Sequence, residues 1–168
     1  MENTNFNSNT SEFSAPIIGK VGRDERGLFY DYFVRITLEE TNIEGTVSHD
    51  HYARLFGKAR ELFALEGIPE FTAEMGRTFL LQTCSASYDF KKNFHFGDIM
   101  VVRVRILRVG NSSFEIGAEF IYAQSKEICA IGKQAIVCTD LKGIPLKIPD
   151  ALRAILLKAL EGTFSTDK

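Results

Sequence analysis

No stretch of this chain concentrates charge of one sign. Twenty Lys and Arg stand against 22 Asp and Glu in 168 residues, a formal charge of −2, so the basic footprint of a nucleic-acid binder is missing. No run approaches the roughly 18 apolar residues needed to cross a bilayer. The N-terminal residues lack a basic region leading into an apolar segment, and the expectation is a cytoplasmic protein that makes no use of a membrane. Cysteine is scarce. Cys84, Cys129 and Cys138 are odd in number, show no C-x-x-C spacing and sit in strand-like surroundings, which predicts reduced, structural thiols. His49 and His51 form an H-x-H pair without a third ligand nearby, too few for a metal site. No metal or cofactor is expected, and no internal repeat is found. A 45% apolar composition at this length fits one domain around a single core.

Residues 1–20 are rich in Asn, Ser and Thr and show no period, which predicts a polar, disordered tail ahead of a single domain spanning 21–168. "FYDYFVRITL", from Phe29 to Leu38, alternates as a strand. From Asp50 the period changes. Tyr52, Leu55, Phe56, Ala59, Leu62, Phe63 and Leu65 fall at helical steps until Glu66-Gly67-Ile68-Pro69 stops them. "EFTAEMG" predicts a further short turn. Four long β-rich segments follow, Arg77 to Phe90, Asp98 to Val109, "SFEIGAEFIYA" and Glu127 to Asp140, joined by short links that imply antiparallel neighbours. Asp150 is placed as the N-cap of a last helix carrying Leu152, Ile155, Leu156 and Leu160 on one face. One strand, a long helix with a wide apolar stripe, then about four antiparallel strands is an α+β plan in which a curved sheet wraps the helix.

That order and its motifs resemble the hotdog fold of the 4-hydroxybenzoyl-CoA thioesterase family, from about residue 28 to 160. The family's Y-x-D-T-D-x-x-G turn corresponds to Glu40-Thr41-Asn42-Ile43-Glu44-Gly45, its N-Y to His51-Tyr52, and its helical E-A-R to Lys58-Ala59-Arg60 with Glu61 following. "YDFKKNFHFGDIMVVRVRILRV" and "AIGKQAIVCTDLKGIPLKIP" resemble its later segments. Where many members carry a carboxylate, this chain has Asn42. The thioesterases of enediyne polyketide pathways show a similar change, in a pattern resembling E-E-T-N-x-x-G-N-V-Y-x-x-H-Y-x-x-W-Q-G-R-x-R-E. Glu39, Glu40, Thr41, Asn42, Gly45, Val47, His51, Tyr52, Gly57, Arg60 and Glu61 match it in register, while Thr46, Ser48, Leu55, Phe56 and Lys58 differ. The resemblance implies hydrolysis of a polyketide or fatty acyl thioester on an acyl carrier protein, including a β-ketoacyl polyene. It also implies sheets paired edge to edge in a dimer or tetramer, with sites at the subunit boundary. An acyl-CoA thioesterase of primary or aromatic metabolism and a non-catalytic acyl-binding module are the alternatives.

Hydrolysing a thioester needs a held carbonyl, a place for the oxyanion and an aimed water. Asn42 offers an acceptor and an NH2 donor but no general base. Arg60 offers a fixed fork of donors for the oxyanion or a β-keto oxygen. The N–H groups near His49 carry the positive end of a helix, and Gly45 permits a positive φ. Glu61 and Glu39 are reserve bases. Gly45, His51, Tyr52, Phe56 and Phe63 are the expected substrate-binding residues. Each has a plainer reading: Asn42 as an Asx-turn residue, Arg60 as a solvated helix charge, His51 as a packed or capping histidine. Ser48 and His49 diverge at a helix start and make no nucleophile-base pair. Alternation puts Arg103 and Arg105 on one strand face, read as a solvated polar face. The other reading groups them with Lys91, Lys92 and Arg108 as contacts for a pantetheine phosphate or an acidic carrier protein.

Overall fold

The computed structural model describes residues 18–72 and 76–162. Its strands are β1 (Gly19–Asp24), β2 (Gly27–Arg35), β3 (Leu80–Phe90), β4 (Ile99–Val109), β5 (Ser113–Tyr122) and β6 (Ile128–Thr139), with helices α1 (His49–Leu62) and α2 (Asp150–Leu160). All strands join one antiparallel sheet in the order β1-β2-β4-β5-β6-β3. This is the expected α+β plan, a curved sheet around a long helix. Of the expected N-terminal tail, residues 1–17 lie outside the described residues. Gly19 and Lys20 are a correction, because they belong to β1, a strand the alternation rule does not detect. Its sequence GKVGRD has two glycines and one large apolar residue, so it carries little pattern.

α1 forms because its apolar residues recur every three or four positions, burying Tyr52, Leu55, Phe56, Ala59 and Leu62. It meets the concave face of the sheet most closely at Gly132, where an added Cβ would lie 3.0 Å from both the Phe56 and Tyr88 rings. Phe56 is fully buried there, a contribution of about 2 to 3 kcal/mol. The helix does not stop at Glu66. It widens into a π-helical turn, Phe63–Gly67, closed by the Ile68 N–H donating to the Phe63 carbonyl at 3.1 Å, and a 3₁₀ turn, Pro69–Thr72, follows. Glu66, on the π turn, accepts from the Tyr30 hydroxyl at 2.5 Å and from the Ile18 N–H at 3.1 Å, tying the start of the fold to the end of α1. α2 packs against β2 and β4. Its N-cap is Pro149, not Asp150, which is the first helical residue and pairs with Lys147 at 2.8 Å.

The outer face of the sheet corrects two expectations. Arg103 and Arg105 do not form a solvated surface. Arg103 makes a two-pronged pair with Asp31 at 2.7 and 2.8 Å, and Arg105, 4% exposed, makes another with Asp24 at 2.8 and 3.0 Å. Both guanidinium groups lie near the Phe29 ring, 4.2 and 5.4 Å from its centroid. The reason is register: Asp31 is directly opposite Arg103, and the unforeseen β1 delivers Asp24. Cysteine placement is the second correction. Cys129 and Cys138 are buried, and burial raises both thiol pKa values, whereas Cys84 is exposed where the β3 register shifts.

Hydrogen bonding from Arg105 holds the Asp24 carboxyl down to about 2, against 3.8 for a free aspartate. A depressed carboxylate pKa contributes stability above the unfolded value and loses it as pH falls from about 4 toward 2, on the order of 1 to 2 kcal/mol after allowance for partial exposure. Asp24→Asn is expected to flatten stability over that window. At neutral pH it is expected to lose about 3 kcal/mol, because Arg105 is left buried and unpaired. Urea midpoints measured across pH check this, and an unchanged pH dependence in the variant would refute it.

Candidate active site

The connection between β2 and α1 is held by its own polar side chains. The Glu40 carboxylate accepts from the Thr37 N–H at 2.8 Å and its hydroxyl at 2.6 Å, and the Ser48 N–H returns to the Glu40 carbonyl at 3.0 Å. Asn42 Oδ1 accepts from the N–H groups of Glu44 at 2.9 Å and Thr46 at 3.2 Å and from the Thr46 hydroxyl at 3.2 Å. Those N–H donors determine which side-chain atom is oxygen, so the Asx-turn role is realised. What Asn42 retains for chemistry is its exposed NH2 group, a donor. Gly45 closes the turn at φ +73 with open space where a Cβ would be, so it is the backbone conformation that requires glycine. His49 opens α1, and Ser48 at the N-cap makes no side-chain capping bond, which leaves the first-turn N–H groups unsatisfied by a cap.

The far end of α1 borders a cavity of about 310 Å³. Phe63, Ile68, Phe71, Ile106, Phe114 and Ile136 make its wall apolar, and Arg60 and Glu61 are its only charged lining residues among those described. Arg60 is anchored rather than solvated, its Nη1 donating to Thr83 Oγ1 at 3.0 Å and to Gln134 Oε1 at 2.6 Å. Glu61, beside it, is exposed. An apolar cavity bearing one guanidinium and one carboxylate can take a hydrocarbon chain and present a polar group to the atoms at its end.

The expected site residues therefore fall into three places. Asn42, Gly45 and His49 gather at the start of α1, while Arg60, Glu61 and Phe63 gather at its end. From His49 to Arg60 the helix rises about 16 Å, so one chain does not bring the two groups onto a single reacting atom. Tyr52, Phe56 and His51 are corrections as cavity-lining residues. Tyr52 is buried among Phe90, Phe94 and Phe120, with burial pushing its phenol up to about 12. Phe56 packs edge-on to Tyr88. Wide apolar stripes supply core before they supply pocket, and these residues face the centre of the sheet. His51 Nδ1 is buried 3.5 Å from Asp50 without a hydrogen bond. Glu39 is exposed in the loop. Sequence reasoning missed Thr83 and Gln134. Gln134 interrupts an otherwise apolar inward row on β6, and that interruption was the available signal. Among the described residues no group of three or more His, Cys, Asp or Glu could hold a metal ion, and no helix is long and apolar enough to cross a membrane.

Comparison with solved structures identifies several similar folds. The dynemicin thioesterase, whose crystal structures show induced-fit and allosteric effects on polyene binding, superposes at a TM-score of 0.70 with 23% identity, over 82% of this chain and 99% of that one. A 1,4-dihydroxy-2-naphthoyl-CoA thioesterase from Synechocystis gives 0.64 at 21% identity, over 77% and 96%. A gentisyl-coenzyme A thioesterase gives 0.63 at 21% identity, over 76% and 98%. A search of curated proteins found no match. The profile of the thioesterase-like superfamily matches residues 36–156, from the end of β2 into α2, and the chain belongs to that superfamily.

Proposed function

We propose that the protein hydrolyses an acyl thioester, with the acyl chain in the cavity beside α1 and Arg60 at the reacting carbonyl. The observation that carries this reading is the anchored guanidinium of Arg60 in the wall of an apolar cavity. Water adds to the carbonyl carbon, the oxyanion forms against the Arg60 donors, the C–S bond breaks and the thiolate takes up a proton. Asn42 acts as a second donor through its NH2, since its oxygen is committed to the turn, and the first-turn N–H groups at His49 add positive potential. Glu61 is the available base for the water. The favoured substrate is a polyketide or fatty acyl chain on an acyl carrier protein, including a β-ketoacyl polyene as in enediyne pathways. The resemblance in the Glu39–Glu61 segment and the fold shared with the dynemicin thioesterase support this choice. The folds shared with two CoA thioesterases support acyl-CoA as the second reading.

Self-association follows from the sheet edge. β3 is an 11-residue edge strand, exposed for most of its length, with no Pro or Lys in LLQTCSASYDF to discourage pairing. Two copies joined antiparallel through β3 set their helices in opposite directions, so that Asn42 of one protomer approaches Arg60 of the other. Such dimers pair further into a tetramer in this reading.

Thiol release from one acyl chain loaded on a carrier protein and on CoA distinguishes the substrate classes. Binding without release from either would establish a non-catalytic module. Arg60→Lys is expected to raise the barrier by about 2 to 4 kcal/mol, the range for losing a preorganised donor, while Lys58→Ala, exposed on another helix face, stays near wild type. Full activity in Arg60→Lys would refute the proposed role. Asn42→Asp keeps the turn acceptor and loses the NH2, so equal folding with a similar loss of rate is expected, and an undiminished rate would remove the donor role. Co-expressing the Asn42→Asp and Arg60→Lys chains tests the shared site: hybrid dimers carry one intact site, restoring about a quarter of wild-type activity. No restoration would place each site within one chain.

A further inference from the structure

We infer that Gln134 is a positioning residue for Arg60, selecting which edge of the guanidinium faces the substrate. The inference rests on the proposed role of Arg60 and goes beyond it by assigning the residue that aims it. Arg60 uses one nitrogen for both of its protein contacts, Nη1 donating to Gln134 Oε1 at 2.6 Å and to Thr83 Oγ1 at 3.0 Å. Nη1 carries two hydrogens, so these bonds exhaust it. Nε and Nη2 have no protein acceptor among the described residues, and together they form the side-on edge that can grip two oxygens, or both lone pairs of one.

Gln134 is itself held. It is 6% exposed on the inner face of β6. Because arginine has no acceptor, the atom facing it must be the amide oxygen, which turns Nε2 toward the Tyr88 hydroxyl, 3.4 Å away. Tyr88 in turn stacks on Phe90 and packs edge-on to Phe56. The guanidinium is thus tied through two neutral side chains to the rigid centre of the sheet. A neutral acceptor is suited to the task, since it orients the cation without neutralising it, whereas a carboxylate would draw charge away from the oxyanion.

Three variants test this by thiol release from decanoyl-CoA and the same acyl chain on a carrier protein. Gln134→Leu is expected to lower kcat about 10- to 100-fold through misplacement of the donors, with little change in KM because the acyl wall is intact. In an Arg60→Lys background Gln134→Leu is expected to add nothing. Wild-type kcat in Gln134→Leu, or a loss that multiplies with that of Arg60→Lys, overturns the inference while leaving the function reading in place. Full activity in Arg60→Lys overturns both.

Gln134→Glu supplies the readout that a structural role would not move, and it decides the matter if the leucine variant fails to fold. Its carboxylate would face Arg60 on α1 and Tyr88 on β3, with Glu61 lining the same cavity. Ionised, it cancels the charge of Arg60. Protonated, it restores a neutral acceptor, so kcat of this variant relative to wild type is expected to rise as pH falls. A ratio constant across pH overturns the inference.

Discussion

The close approach of α1 to the sheet at Gly132 is the constraint from which the remaining geometry follows. Only a residue without a Cβ lets the Phe56 and Tyr88 rings meet over β6. With Phe56 seated there, the next turn of the helix places Arg60 above the inner side chain two residues further along the strand, which is Gln134. Continuing past the end of the α-helical part, Phe63 and Ile68 no longer fit against the sheet as tightly, and the space that opens is the cavity. Packing at one glycine thereby sets both the depth of the pocket and the height at which its single cation sits.

The polar groups of this fold sort by how they are neutralised. On the outer face, Asp24, Asp31, Arg103 and Arg105 satisfy one another in two-pronged pairs. Such pairs leave no charge for a ligand. On the inner face Arg60 meets only neutral partners, Thr83 and Gln134. Its charge is therefore available, although its position is fixed. The two faces use the same side-chain type for opposite ends, and the difference lies in whether the acceptor is ionised.

Much of the fold was legible in the sequence because its longest elements repeat with a clear period. The stripe from Tyr52 to Phe63 and the β-rich segments after Phe79 left few alternatives, and the β3 to β6 boundaries differ from expectation by a few residues. β1 was not legible, since a short edge strand with half its residues exposed has no second face to pattern. The pairing of Arg105 was hidden with it. At the site, Arg60 and Asn42 stood out through resemblance to a known segment, whereas Gln134 and Thr83 matter through contacts 74 and 23 residues away in the chain. Linear spacing does not encode such distances. The separation of Asn42 from Arg60 followed from helix rise alone, and a reading that listed both as one site had not measured it.

The π-helical turn at Phe63–Gly67 has the geometry of one extra residue accommodated within a helix. In an α-helix each residue advances the azimuth by about 100°, so deleting one position here would let ordinary α-helical bonding resume while swinging everything beyond it around the axis. Glu66 would turn away from the Tyr30 hydroxyl and the amides of Ile18 and Gly19. The bulge thus works as a phase correction: it uncouples the rotation that faces Phe56 and Arg60 inward from the rotation that faces Glu66 toward β1 and β2. Pocket shape and N-terminal anchoring can then vary independently, which a continuous α-helix would not permit.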